Sequence, residues 1–134
     1  MDLITRLIVG EMKNRKAPFL QSVMYALAGI ITFFSKERNG QIQLAVSVIA
    51  IVFAWIFSIT KTEWLIVLIL CAVVMAAEML NTAIEKLCDR VTTDYDEIIK
   101  VVKDVSAGAV LLVSLLAVIT GLMIFVPYLI NCFQ

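Results

Sequence analysis

Residues 64–88 read WLIVLILCAVVMAAEMLNTAIEKLC, and this stretch decides the fold. Its first half is apolar without interruption, while its second half carries Glu78, Asn81 and Glu85 with no glycine or proline to break a helix. About 20 helical residues at 1.5 Å each cover a hydrocarbon core of about 30 Å, so the stretch is long enough to span a bilayer. Advancing about 100° per residue, Glu78, Asn81, Glu85 and Asp89 fall at roughly 0°, 300°, 340° and 20°. They form one stripe about 80° wide and roughly 16 Å long. A carboxylate near the centre of a membrane helix costs about 2.5 to 3.5 kcal/mol, so this stripe points into protein or a wet cleft, not into lipid.

Two further spans flank it. Residues 44–60 are apolar and follow the polar segment 35–43 (SKERNGQIQ), with Thr60, Lys61, Thr62 and Glu63 as a very short connection to the central span. After the charged stretch 89–103, residues 104–130 make a long third span ending near Pro127 and Tyr128. Residues 1–34 are expected to lie at the membrane surface, with a true span over residues 19–34 as the alternative. Leu3, Leu7 and Ile8 share one helical face while Arg6, Glu11 and Lys13 lie elsewhere, the pattern of an amphipathic helix in the headgroups. Pro18 is a natural end for that helix. Residues 19–34 carry Phe19, Val23, Leu27, Ile30 and Phe34 at helical spacing. Gln21, Ser22, Tyr25 and Thr32 interrupt them, and about 16 residues reach only roughly 24 Å. No continuous apolar run precedes Lys13, Arg15 and Lys16, so the amino terminus does not read as a cleaved signal. The expected fold is all-α: a single integral-membrane domain, residues 1–134, of three transmembrane helices and an N-terminal amphipathic surface helix.

Composition agrees and excludes much else. Of 134 residues, 62% are apolar, and the mean hydropathy of +0.99 lies far above that of soluble domains. Eleven basic residues balance 11 acidic ones, so no basic field exists to hold nucleic acid. Histidine is absent, which removes Ser-His and Cys-His nucleophiles, His-ligated metals and the histidine-dependent acid phosphatase type. Cys71, Cys88 and Cys132 are odd in number and widely spaced in apolar surroundings, as packing or lipid-facing thiols are. Six basic residues lie before residue 44, four lie between Lys86 and Lys103, one is Lys61, and none follows. The positive-inside rule therefore puts the amino terminus and the second loop in the cytoplasm.

The chemistry must run on carboxylates, amides and lysines. Glu78, the deeper carboxylate, suits a general base, and Glu85, nearer the cytoplasmic edge, suits Mg²⁺, which takes one or two carboxylates together with phosphate oxygens. Glu37 is a second candidate ligand. Lys103 and Asp104 open the third span, where a lysine can offset charge on a transferring phosphoryl group. Together these read as phosphoryl transfer, although neither GxxxxGK[ST] nor GxGxxG occurs. Two other readings stay open from the residues alone. The stripe can be interhelical glue, with Lys103 as an ion-pair partner, or it can line a path for ions or protons in a non-enzymatic bundle. By charge pattern alone, residues 94–97 read as a solvated loop, and Tyr25, Trp55, Trp64 and Tyr128 as interfacial anchors.

The segment Glu78-Met79-Leu80-Asn81-Thr82-Ala83-Ile84-Glu85 followed by Asp89 resembles the E-x-x-N-[ST]-A-I-E-x-x-x-D signature of the small prokaryotic membrane lipid kinases, the diacylglycerol and undecaprenol kinases. Lys103-Asp104 with Ala107-Gly108-Ala109-Val110 resembles that family's K-D-x-x-[AS]-[AG]-A-V motif, and Glu37-Arg38-Asn39 its E-R-N element, more typical of the undecaprenol-kinase branch. The likeness runs from about Tyr25 to Val126. It implies an ATP- and Mg²⁺-dependent transfer of the γ-phosphoryl group to a lipid hydroxyl. The product would be phosphatidic acid or undecaprenyl phosphate, serving phospholipid recycling or the supply of an envelope lipid carrier. It also implies a homotrimer in the bacterial cytoplasmic (inner) membrane with active sites shared between subunits. By motif position, Glu78 resembles the catalytic base, Glu37 and Glu85 the metal ligands, and Asn81 a supporting residue. Tyr25, Glu37, Glu85, Asp94, Tyr95, Asp96, Lys103 and Asp104 resemble the ATP contacts. The resemblance turns the acidic loop from a solvated segment into part of the nucleotide site. Pro18 stands where some members carry arginine, and Gln41-Ile42-Gln43 replaces the usual R-I-H, so the choice of lipid stays open.

Overall fold

The computed structural model describes residues 19–132, and every described element is helical. Four helices follow one another: α1 (Phe19–Lys36), α2 (Arg38–Ile56), α3 (Lys61–Val91) and α4 (Glu97–Cys132). All four are long and apolar enough to cross a membrane. The surface helix expected over residues 1–18, with its end at Pro18, lies outside the described residues. The described residues fall into two compact units, one ending at Glu37 and one beginning at Arg38.

In the first unit, α1 ends where Glu37 N–H donates to the Phe33 carbonyl at 3.0 Å, with Lys36 in the last turn to complement the helix dipole. Phe33 and Phe34 meet edge to face at 5.2 Å. Apolar side chains such as Phe19, Leu20 and Ile31 remain exposed, with Tyr25 among them.

The second unit is an up-down-up arrangement in which α3 packs against both α2 and α4. On α2 the buried residues are Gly40, Ser47 and Ala54, every seventh position, so small side chains let this helix approach its neighbours closely. On α3 they are Val67, Val74, Glu78, Asn81 and Cys88, also at near-heptad spacing. That seam is apolar in its first half and polar in its second. At the apolar end, Ala54, Ile59, Val67 and Ile124 form the core. Phe53, Phe57, Phe125 and Tyr128 extend it through ring contacts between 6.0 and 6.4 Å. Leu111, Leu112, Leu115 and Leu116 of α4 face outward, as lipid-contacting residues do.

The helix ends differ from the hydropathy reading. α2 begins at Arg38, so the polar segment Arg38 to Gln43 is helical and the helix starts well before residue 44. Burial of Gly40 on the seam outweighs its low helix propensity. α2 stops in a Schellman motif. Ile59 N–H reaches the Ala54 carbonyl at 3.3 Å, Ser58 N–H reaches that of Trp55 at 3.2 Å, and Ser58 is left-handed at φ 49°. Thr60 then caps α3 in a capping box with Glu63, so the connection is shorter than expected and Lys61, Thr62 and Glu63 are already helical. α4 starts at Glu97, because Asp96 Oδ1 accepts from Ile99 N–H at 3.0 Å as an N-cap. It runs through Pro127 to Cys132 instead of ending near that proline. Long apolar helices tolerate an internal proline when neighbouring groups satisfy the freed carbonyl.

Candidate functional site

The polar half of α3 holds the stripe. Glu78 and Asn81 are 6% and 5% exposed, Glu85 is half-buried, and Asp89 at the helix end is open to solvent. The arc read from periodicity is therefore turned inward, with depth decreasing from Glu78 to Asp89. An amide holds one of the two inner carboxylates: Asn81 Nδ2 donates to Glu85 Oε1 at 3.0 Å one turn away. Asn81 Oδ1 is buried and has no hydrogen-bond partner among the described residues. A buried carbonyl oxygen left without a donor costs about 1 to 3 kcal/mol, which marks this position as one built to meet something else.

The loop between α3 and α4 forms the second part. Thr92 N–H closes α3 on the Cys88 carbonyl at 3.3 Å, and Asp94 N–H donates to Thr92 Oγ1 at 3.1 Å. This turn folds the loop back over the start of α4. Asp94, Tyr95, Asp96, Lys103 and Asp104 then surround one concavity of about 420 Å³ together with Asp89. Five of the residues expected to contact nucleotide are thereby brought together. Asp96 also caps α4, so one of its oxygens is committed to the fold.

Lys103 Nζ donates to Asp89 Oδ1, joining the loop cavity to the outer end of the stripe. The ion pair considered between Lys103 and the inner carboxylates is thus made with Asp89 instead, because the entry to α4 sets Lys103 beside the last turn of α3. Tyr25, on α1, and Glu37, between α1 and α2, both belong to the first unit.

Among the described residues, no three acidic or cysteine side chains converge as a ready-made metal cage. The oxygens of Glu85 and Asn81 are hard donors, and they fit a cation such as Mg²⁺ that completes its shell with water and phosphate. All three cysteines are free, with Cys88 buried, Cys71 half-buried and Cys132 exposed.

A buried carboxylate stripe in a helix long and apolar enough to cross a membrane thus leads to a charged loop cavity, the features of an integral-membrane protein with a polar end. The sequence profile of the prokaryotic diacylglycerol kinase family matches residues 24–125. The chain is 32% identical over 117 residues to the undecaprenol kinase of Bacillus subtilis, covering 87% of this chain and 95% of that one. It is 35% identical over 113 residues to the diacylglycerol kinase of Synechocystis, covering 84% of this chain and 65% of the relative. It is 28% identical over 90 residues to the diacylglycerol kinase of Pseudomonas aeruginosa, covering 67% and 73%. The chain belongs to the prokaryotic diacylglycerol kinase family. It is a lipid kinase, so a non-enzymatic bundle is set aside.

Proposed function

We propose that the protein transfers the γ-phosphoryl group of ATP to the hydroxyl of a membrane lipid alcohol at the polar end of α3. The observation that carries this reading is the inward-facing Glu78, buried with Asn81 on the polar half of α3. Burial of a carboxylate is costly, and a proton-accepting role on a lipid headgroup gives it a use.

In this reading the nucleotide occupies the loop cavity, with Asp94, Tyr95, Asp96 and Asp104 around it and Lys103 turned to the phosphates. Lys103 exchanges its Asp89 partner for phosphate oxygens and offsets charge as the phosphoryl group transfers. Glu85, steadied by Asn81, and Glu37 would hold Mg²⁺, and Tyr25 would add a nucleotide contact. When bound, the metal supplies charge neutralisation on the phosphate oxygens. Glu78 takes the hydroxyl proton as the lipid oxygen attacks the γ-phosphorus, and the bond to the ADP oxygen breaks.

The lipid enters from the bilayer with its hydroxyl beside the stripe. Undecaprenol is the favoured acceptor, supported by the match over 95% of the length of an undecaprenol kinase, and diacylglycerol is the second. The same reading puts α2, α3 and α4 across the bacterial cytoplasmic membrane, α1 at its surface and the loop cavity in the cytoplasm. Three copies assemble with shared sites. Lipid-dependent ADP release by purified protein tests it. The wild type should release ADP only with lipid alcohol present, and Glu78→Gln should abolish that release with the oligomer intact. Lipid-dependent release persisting in Glu78→Gln would remove the base assignment.

A further inference from the structure

The wall of the loop cavity between α3 and α4 carries four aspartates and two lysines, and one of the lysines, Lys100, has no part in the site as described so far. Lys103 is engaged by Asp89, and Asp96 spends an oxygen on the cap of α4. Lys100 has Asp96 four residues before it and Asp104 four residues after it, the spacing at which helical ion pairs form. Among the described residues it makes neither pair, and it stands exposed on the cavity wall. Its backbone N–H is used within the helix, on the Asp96 carbonyl at 3.0 Å, so what it offers the cavity is its ammonium. Lys100 and Lys103 are three residues apart on α4 and line the same concavity, with Cβ atoms about 5 to 6 Å apart at that spacing. Two like charges so placed repel each other, and a polyanion lying across both relieves that repulsion.

We propose that Lys100 is a second phosphate-binding lysine of the nucleotide site, holding the α-phosphate end of the polyphosphate while Lys103 attends the phosphoryl group that is transferred. The inference rests on the kinase reading and deepens its nucleotide half. The order of the two lysines along α4 gives the assignment. Lys103 is tied to Asp89 at the outer end of the stripe, whereas Lys100 lies one turn earlier, roughly 4.5 Å farther along α4 toward the loop. A nucleotide with its γ-phosphate at the stripe therefore presents its α-phosphate to Lys100. Asp94, Asp96 and Asp104 would otherwise repel a triphosphate, and Lys103 is already matched by Asp89, so Lys100 is the cavity's uncommitted positive charge among the described residues. An ammonium on a flexible stem follows a phosphate as a point charge, without the fixed fork that arginine requires. The α-phosphate keeps its charge through the transfer, so a cation on it binds ground state and transition state alike. Lys100 thus sets the affinity for nucleotide and leaves the rate of transfer to Lys103.

The test is steady-state kinetics of Lys100→Met and Lys100→Arg beside the wild type, with undecaprenol and diacylglycerol as acceptors and ADP as a competitor of ATP. Thermal unfolding and oligomer size in detergent are followed in parallel. Lys100→Met should raise KM for ATP and the inhibition constant of ADP together, about five- to twentyfold, while kcat and KM for lipid stay within about twofold and the unfolding midpoint is unchanged. Lys100→Arg, which keeps the charge, should stay within about threefold of the wild type in both nucleotide constants. A methionine variant whose nucleotide constants stay within about twofold overturns the proposal, and so does a loss carried by kcat or by KM for lipid. An equal loss in the arginine and methionine variants removes the charge from the argument and overturns it as well. If the methionine variant does not fold, Lys100→Gln takes its place with the same readouts. If the wild type transfers phosphate to neither lipid, the kinase reading fails and the proposal falls with it. Wild-type transfer with an unaffected methionine variant sinks the proposal alone.

Discussion

Tyr128 Oη donates to Glu63 Oε2 at 2.8 Å, tying the far end of α4 to the first turn of α3. At the other end, Lys103 binds Asp89. The segment from Glu63 to Asp89 is about 26 residues and that from Lys103 to Tyr128 about 25, or roughly 39 Å and 38 Å at 1.5 Å per residue. The two helices are therefore pinned antiparallel over a matched length. That register brings Lys103 to the end of the stripe.

Removing the outer pin should weaken the fold more than the chemistry. Glu63 Oε2 also accepts from Thr60 N–H at 2.8 Å and Thr60 Oγ1 at 2.7 Å, so it keeps donors when tyrosine loses its hydroxyl. Tyr128→Phe keeps the ring stacked on Phe57. It should cost about 1 kcal/mol, seen as a lower midpoint of thermal unfolding in detergent, with kcat within about twofold of wild type.

Ser58 offers the opposite case. It holds φ 49° at the Schellman position, where a Cβ is unfavourable and glycine is not. Ser58→Gly should raise stability by about 0.5 to 1 kcal/mol in the same unfolding measurement without altering turnover. A destabilised variant would show that the serine hydroxyl outweighs the backbone strain.

At the inner pin, charge and partner can be separated. Lys103→Met removes the ammonium and should lower kcat/KM for ATP by about a hundredfold. Asp89→Asn leaves the ammonium in place but loosens its tether, and should cost less than tenfold. An equal loss in the two variants would mean that the ion pair, not the lysine, is what the reaction needs.

Much of this site was legible in the sequence because a helix converts spacing into direction. Glu78, Asn81 and Glu85 had to share a face, and an apolar helix had to turn that face inward, as it does. The start of α2 was not legible. Arg38 to Gln43 is largely polar with an internal glycine, and burial of Gly40 on the seam is not visible in hydropathy. Pro127 read as a terminus because a lone helix loses a hydrogen bond there, a loss that an apolar helix among neighbours absorbs. Charge pattern could not show that Asp96 spends an oxygen on capping α4, nor that Lys103 meets Asp89, since those facts depend on chain geometry and on partners distant in sequence.

The central claim is that Glu78 is the base of a phosphoryl transfer to a membrane alcohol. Thin-layer analysis of ³²P transfer from γ-labelled ATP tests it most directly, with undecaprenol and diacylglycerol in parallel mixed micelles, for wild type and Glu78→Gln. The account predicts labelled lipid with the wild type, more on undecaprenol than on diacylglycerol, and label reduced to background in a variant that keeps its oligomeric size. Label of wild-type intensity from Glu78→Gln, or none on either lipid from the wild type with Mg²⁺ present, would contradict it.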